Sequence, residues 1–315
     1  MISSARSTVR SKKSRNDNLS KVEFLLSQII KQIYTNKAPH RGAFFVGGLY
    51  FILVLLASPV LAKECPADRI DEIVAVSLVV DGDTLRLKDG RLVRFIGINT
   101  PELARKSKPA EPLAKKARKL LQSLLEKSLS QNSSGKDALV GLRYGTEQKD
   151  RYGRTLAHVY LANGVSVEAE MLSAGMGAQI VVPPNTWNRE CYRAVEKSAR
   201  QEKKGVWNSI YHPISVANVP RDSRGFRIIS GKVIRVGESK RSIWLNFPRR
   251  PGEGRREGIA VRISRMDLGH FSSWDPRQLK GKQVVVRGWM YPDKKQSVMQ
   301  LRHPFALEIK PVEKQ

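Results

Sequence analysis

Between residues 73 and 98 the chain alternates apolar and polar positions, and two Asp-Gly pairs punctuate the run. Ile73, Val76, Leu78 and Val80 lead into Asp81-Gly82; Leu85 and Leu87 lead into Asp89-Gly90; residues 92–98 close the pattern. Strand side chains alternate between faces, and Asp-Gly favours tight turns. This stretch therefore predicts consecutive β-strands joined by short turns.

The periodicity then changes. Over residues 112–126, Leu113, Ala117, Leu120, Leu121, Leu124 and Leu125 fall on one helical face, with Pro112 suited to the first helical position. Residues 131–137 read as a polar loop. Strands resume at 138–144 and 156–161, followed by a turn at Asn163-Gly164 and a short helix over 165–174 that Gly175 stops. Residues 181–185 read as a loop. Thr186 is placed to cap a helix running through Lys204, with Gly205 ending it. From Phe226 onward only strand patterns remain, about five of them. The class is α+β. The expected organisation is a leader over 1–62, a mixed domain over 63–209, a linker over 210–225 and an all-β domain over 226–315.

The formal net charge is +27, which draws polyanions: nucleic acid, or an anionic membrane surface. The charge is unevenly spread. Residues 220–315 hold 22 Lys/Arg against 9 acids, whereas residues 43–219 hold 25 against 18, so binding and chemistry are expected to separate along the chain. Nothing in the sequence points to a protein partner.

Residues 43–61 carry no charge and follow a basic, polar lead. Val60 and Ala62 suit signal peptidase, so cleavage after Ala62 is expected, with a periplasmic or secreted product. The lead is long for a leader, which points to a true start downstream of Met1. The competing reading is an uncleaved membrane anchor over 43–62. Both readings put the remainder outside the cytoplasm. In an oxidising compartment Cys65 and Cys191 are expected to pair, the alternative being two unpaired thiols. Neither cysteine has metal-ligand spacing, and the five histidines are scattered, so zinc is not expected.

The chemistry-bearing residues are Asp81-Gly82-Asp83-Thr84, Arg94, Asn99-Thr100-Pro101-Glu102 and Asp150-Arg151-Tyr152-Gly153-Arg154. Hydrolysing a phosphodiester needs an activated water, a neutralised anionic transition state and a stabilised leaving oxygen. Asp83 offers a carboxylate, Thr100 a backbone carbonyl, and Glu102 a general base. Arg94 and Arg154 offer planar forks for phosphate oxygens. Arg94 shares its expected strand face with Leu92, Ile96 and Ile98, where a guanidinium is costly unless an anion meets it. Taken singly, each piece has an ordinary structural reading: a turn, a loop, a snorkelling edge arginine.

Their ordered co-occurrence resembles the staphylococcal (thermo)nuclease family over roughly residues 70–210, down to the closing Lys203-Lys204-Gly205-Val206-Trp207. The resemblance implies a five-stranded OB-type β-barrel with three helices, and a Ca²⁺-dependent endonuclease that acts on DNA and RNA and leaves 3′-phosphates. By position, Asp83, Asn99 and Thr100 resemble the metal ligands, Arg94, Glu102 and Arg154 the catalytic residues, and Tyr152 with Arg151 the substrate contacts. Two departures stand out. Asn99 occupies a position where the family has a second metal-binding Asp, so Ca²⁺ is expected to bind more weakly. The segment Gln179–Val182 also lacks the aromatic that would stack on a base.

The C-terminal part resembles a second, small all-β OB-like barrel. There Trp244, Phe247, Trp289 and Tyr291, interleaved with Arg and Lys, suit a single-strand groove; equally, the rings suit a small core. The sequence thus favours an exported nuclease with an accessory binding domain. The alternative is a catalytically silent nuclease-like protein that only binds nucleic acid. A third reading is an envelope protein whose basic surface meets anionic lipid or wall polymer.

Overall fold

The computed structural model describes residues 65–104, 108–130, 137–220, 223–248, 258–293 and 296–311. The leader segment 1–62, the loop 131–136 and the arginines at 249, 250, 255 and 256 lie outside the described residues. Among the described residues no helix is long and apolar enough to cross a membrane.

Five strands close a barrel: β1 (Glu72–Asp81), β2 (Thr84–Leu87), β3 (Leu92–Phe95), β5 (Leu139–Lys149) and β6 (Thr155–Leu161), in the order β1-β2-β3-β6-β5. The barrel is mixed, because β3 and β6 run parallel while the other pairs are antiparallel. Period-two patterning sends Leu85, Leu87, Val93, Phe95, Leu142, Ala157 and Val159 inward, all essentially inaccessible. Three helices cover the barrel: α1 (Ala114–Ser130), α2 (Val167–Ser173) and α3 (Arg189–Gln201). They add Leu121, Met171, Leu172 and Tyr192 to the same core. A two-stranded ribbon, β4 (Ile98–Asn99) with β7 (Ala178–Gln179), stands beside the barrel.

Several boundaries differ from the sequence reading. α1 begins at Ala114, after Leu113 in the left-handed region at φ 67°. Leu113 therefore leaves the helical face and packs on a separate cluster with Tyr211 and Phe226. α3 starts after Asn188, itself left-handed and making no side-chain cap, and not after Thr186. β3 stops at Phe95 because Gly97, at φ 88°, turns the chain. A Cβ at Gly97 would lie 2.7 Å from the Tyr192 ring. Arg94 thus shares its strand face with Leu92 only; Ile98 belongs to β4.

Cys65 and Cys191 are joined by a disulfide, tying the start of the described chain to α3 across a sequence separation of 126.

The C-terminal part is an open sheet, not the second closed barrel expected. It contains β8 (Ile214–Ser215), β9 (Gly225–Lys232), β10 (Arg235–Glu238), β11 (Ser242–Asn246), β12 (Gly258–Ser264), β13 (Gln283–Asp293), β14 (Gln296–Gln300) and β15 (Leu307–Ile309). The order is β10-β11-β12-β14-β13-β9-β8, with β15 on β13. Between β9 and β10 the chain changes partner at Val233-Ile234. Val233 N–H donates to Lys282 O and Ile234 N–H to Asn246 O, each at 2.9 Å. The chain thereby passes from the β13 side to the β11 side, and no ladder joins the edges β10 and β8. Phe247 belongs to this sheet's core, so the four aromatics do not line one groove.

One face of β9 and β13 packs on the barrel part. Phe226, Ile228 and Val285 join Ala178, Ala199, Val206, Trp207 and Tyr211 in a single cluster. At its centre Arg287, 6% exposed, donates from Nη1 to both oxygens of Glu196 on α3, at 2.7 and 2.8 Å. Glu196 in turn accepts from Gln179 N–H at 2.6 Å, so the buried ion pair reaches β7.

Candidate active site

The turn between β1 and β2 sets the site. A Cβ at Gly82 would lie 2.8 Å from Ala117 Cβ and from Thr100 Oγ1, so only glycine lets the turn, α1 and Thr100 meet. The Asp83 carboxylate is buried and saturated with donors. Its Oδ2 accepts from Thr100 N–H at 2.8 Å and Thr100 Oγ1 at 3.1 Å; its Oδ1 accepts from Thr84 Oγ1 at 3.1 Å and faces Arg94 Nε at 3.2 Å. This carboxylate pins the 99–102 corner against the barrel rim and is also the anion that meets Arg94.

Arg94 is largely buried, its side chain 11% exposed. Its Nη1 donates to Phe95 O at 2.5 Å, and its Nη2 lies 3.5 Å from Asn99 Oδ1. The Asn99 amide nitrogen sits at 3.5 Å from Thr100 O. Arg94, Asp83, Asn99 and Thr100 are therefore in direct contact.

Asp81, absent from the sequence-based ligand set, is part of the same centre. It is 3% exposed, and its Oδ1 accepts from Asp83 N–H at 3.2 Å. Burial, then the charges of Asp83 and Glu102, raises its pKa to about 6. Crowded negative charge of this kind is what a cation relieves.

Glu102 is exposed at the mouth of the site, where its charge acts on Asp81. Its backbone is held from both sides by Glu111: Glu102 N–H donates to Glu111 Oε2 at 3.0 Å, and Glu111 N–H donates to Glu102 O at 2.8 Å. Tyr211, from the segment read as a linker, lies within reach. Its hydroxyl is buried beside Asn99. Burial, then the charges of Glu111, Asp83 and Glu102, pushes its pKa up, with Asn99 pulling the other way. Neither Glu111 nor Tyr211 carries a sequence signal that marks it for this place; only long-range packing brings them in.

The second arginine comes from the β5–β6 turn. Arg154 Nε donates to Asp150 Oδ2 at 2.7 Å, and Asp150 Oδ1 accepts from the N–H groups of Tyr152 and Arg154 at 2.9 and 3.0 Å. Arg151 Nη2 donates to the Tyr152 hydroxyl at 2.6 Å, and Tyr152 is 69% exposed. Arg94 pairs with Leu156 across the parallel β3–β6 ladder. Arg154 immediately precedes Thr155, which pairs with Val93, so the turn sits next to the strand that carries Arg94. The side-chain contacts of Arg154 are with its own turn, through Asp150 and the Tyr152 ring.

The candidate ligand atoms around this centre are oxygens: the Asp81 and Asp83 carboxylates, the Asn99 amide oxygen and the Thr100 carbonyl. Among the described residues no group of three or more His, Cys, Asp or Glu is arranged as a full metal cage. A sparse oxygen set with two crowded, buried carboxylates still suits a hard cation, which fills its remaining coordination with water.

The profile described as "Staphylococcal nuclease homologue" matches residues 92–209. It does not extend over the C-terminal sheet. The thermonuclease of Staphylococcus intermedius is 32% identical over 46% of this chain and 82% of its own length. That of Staphylococcus hyicus is 32% identical over 42% of this chain and 73% of its own length. An uncharacterized endonuclease of Escherichia coli O157:H7 is 28% identical over 50% of this chain and 86% of its own length. Given the matched profile, and a barrel whose rim carries Asp83, Arg94, Thr100, Glu102 and Arg154, the chain belongs to the staphylococcal nuclease family.

Proposed function

We propose that the protein is an exported, metal-dependent endonuclease that hydrolyses phosphodiester bonds of single-stranded DNA and RNA. The observation that carries this reading is the contact set Asp83–Arg94–Thr100, buried at the rim, with exposed Glu102 two residues from Thr100 and Arg154 in the turn that leads into β6. Asp83, Asn99, Thr100 and the additional Asp81 would hold the cation, with Ca²⁺ as the expected ion. A bound cation supplies charge neutralisation at a phosphate oxygen.

The remaining steps belong to the chain. Glu102 accepts the proton of the attacking water, which needs the open position it occupies; such base catalysis contributes typically 10²–10⁴-fold. Arg94 keeps Nε on Asp83 and Nη1 on Phe95 O, so its fork is fixed before substrate arrives and meets the developing charge without reorganising. Arg154, with Tyr152 and Arg151 at its side, takes the outer phosphate oxygens. As the new P–O bond to the attacking water forms, the bond to the 5′ oxygen breaks; that oxygen takes a proton from solvent and leaves as a 5′-hydroxyl, and a 3′-phosphate remains.

A specific observation favours a second reading, a protein that binds nucleic acid without cutting it: Asn99 brings no charge to the cation site. The test is cleavage of single-stranded DNA and RNA by purified 63–315 with Ca²⁺, Mg²⁺ or Mn²⁺. Metal-dependent cleavage, lost in Glu102→Gln and in Arg154→Ala, supports the enzyme; intact binding with no cleavage under any of these metals supports the second reading. The 43–62 segment and the Cys65–Cys191 bridge support a periplasmic or secreted location, with a membrane-anchored form as the alternative. Membrane partition of the expressed full-length chain separates the two.

A further inference from the structure

A cleft of about 730 Å³ lies between α3 and the end of the C-terminal sheet. Its walls differ in character. α3 supplies the exposed, polar Arg193, Lys197 and Gln201. The C-terminal part supplies Phe305, Leu307, Ile309 and Trp274. Ile309 is 46% exposed, and both rings are half-buried, so the apolar wall is open to water.

The inner charges of the cleft cancel. Glu196 pairs with Arg287 at 2.7 Å, and Glu308 pairs with Arg200 and Arg287 at 2.5 and 3.2 Å. Two carboxylates thus meet two guanidinium groups, and that network is neutral. Arg193 and Lys197 stand outside it, and neither has a carboxylate partner among the described residues. They are one turn apart on the same helix face. Arg193 lies over the Phe305 ring, its Cζ 4.4 Å from the ring centroid, so the cationic and apolar walls meet.

Charged side chains on a helix are ordinary; this pair is set apart by the apolar wall across from it in one concave surface. The cleft volume falls within the roughly 300–1,000 Å³ of small-ligand sites, which suits a short stretch of strand and not a folded partner. A single-stranded polynucleotide is anionic along its backbone and flat and apolar at its bases, matching the two walls. The cleft is also joined to the catalytic corner. Gln179, one of its lining residues, lies in β7, and the preceding Ala178 pairs with Asn99 in β4.

We propose that this cleft is an exosite for single-stranded nucleic acid, in which Arg193 and Lys197 neutralise backbone phosphates and a base lies against Trp274. The exosite rests on the reading of nucleic acid as the substrate and extends it. The strand is held at a point away from the bond that is cut, so strand length becomes a determinant of affinity.

The test measures binding of fluorescein-labelled dT12 in EDTA, where nothing is cleaved, over a series of salt concentrations. Arg193→Ala/Lys197→Ala reduces the slope of log affinity against log salt by about 1.4, at about 0.7 for each single-strand phosphate contact. Lys280→Ala/Lys282→Ala, which removes two exposed lysines outside the cleft, leaves the slope in place. Trp274→Ala weakens binding roughly tenfold, the weight of one base–aromatic stack. Trp274→Phe stays within about threefold of the parent, since a phenylalanine ring also stacks. An unchanged slope in the Arg193/Lys197 variant, or an equal fall in the Lys280/Lys282 variant, overturns the exosite. Because Arg193 and Lys197 are exposed, that comparison holds even if Trp274→Ala fails to fold. With Ca²⁺, the Arg193/Lys197 variant lowers kcat/KM on dT12 through KM and leaves the dinucleotide dTpdT unaffected; an equal loss on both substrates also overturns the exosite. Should the parent cleave neither substrate, the nuclease reading fails by itself, and the binding series still decides the exosite.

Discussion

At the scale of single residues, the site is a compromise between holding itself together and holding a cation. Asp83 has four donors on two oxygens, which fixes the corner but leaves little spare lone-pair capacity. Asn99 moderates the centre, since an aspartate there would add a third acid to a pair already repelling. We therefore expect Asn99→Asp to bind Ca²⁺ more tightly by calorimetry and to lose stability in metal-free buffer; weaker Ca²⁺ binding in the variant would contradict the ligand assignment. Gly82→Ala places a methyl 2.8 Å from Thr100 and Ala117, and overpacking of this kind costs about 1–3 kcal/mol. Urea denaturation reads that loss, and a neutral result would show that the turn can shift. Asp83, Arg94, Thr100 and Glu102 could be singled out as candidates in the sequence because their pieces co-occur in order, although each alone reads as a turn, a loop or an edge arginine. Glu111 and Tyr211 were not, because nothing local distinguishes them from a loop acid and a linker aromatic.

At the scale of elements, the pattern of 73–98 foretold β1 to β3 and the apolar stripe foretold α1, but in β1 the wrong face was marked: Val74 and Val79 are buried, whereas Ile73 and Leu78 are exposed. The left-handed Leu113 was illegible, because leucine disfavours positive φ and tertiary contacts impose it; Asn188 is of a type that tolerates that region, but nothing local marked it over Thr186 as the helix start. The open C-terminal sheet was misread as a barrel: strand count and spacing do not reveal which strands pair and which edges stay without a ladder. The strongest tie between elements is the Arg287–Glu196 pair, with side chains 6% and 3% exposed. Removing one partner leaves a buried charge uncompensated, so Arg287→Met should cost about 3–5 kcal/mol in chemical denaturation, and adding Glu196→Gln should recover much of it. No recovery in the double variant would place the cost in packing and not in charge. The Cys65–Cys191 bridge spans 126 residues, for which chain-entropy reasoning gives about 5 kcal/mol. Reduction under native conditions should lower the unfolding midpoint accordingly.

At the scale of the molecule, two buried titrating groups oppose each other. Burial, then the Arg143 charge, lowers His158 from 6.5 to about 3. Its contribution is fully present above pH 6.5 and is lost as pH falls toward about 3. Burial raises Glu168 from 4.5 to about 8, so its contribution is present below pH 4.5 and lost as pH rises through about 8. Comparing the parent with His158→Gln at pH 6.5 and pH 4 cancels the Glu168 slope, and the variant should lose less stability on acidification, by on the order of a few kcal/mol. The charge of +27 was legible at once as attraction to polyanions, but where the strand would run was not. The barrel and the C-terminal sheet share one apolar cluster and one ion-pair network, so removing 220–315 should lower the unfolding midpoint as well as the salt slope of binding. The central claim is that a carboxylate base, Glu102, and two arginines, Arg94 held on Asp83 and Arg154 in the β5–β6 turn, cut a phosphodiester. It is tested most directly by single-turnover cleavage of single-stranded DNA with Ca²⁺, comparing the parent with Glu102→Gln matched in unfolding midpoint and oligonucleotide affinity. The account predicts a fall of roughly 10²-fold or more in the cleavage rate; an unchanged rate, with folding and binding intact, would contradict it.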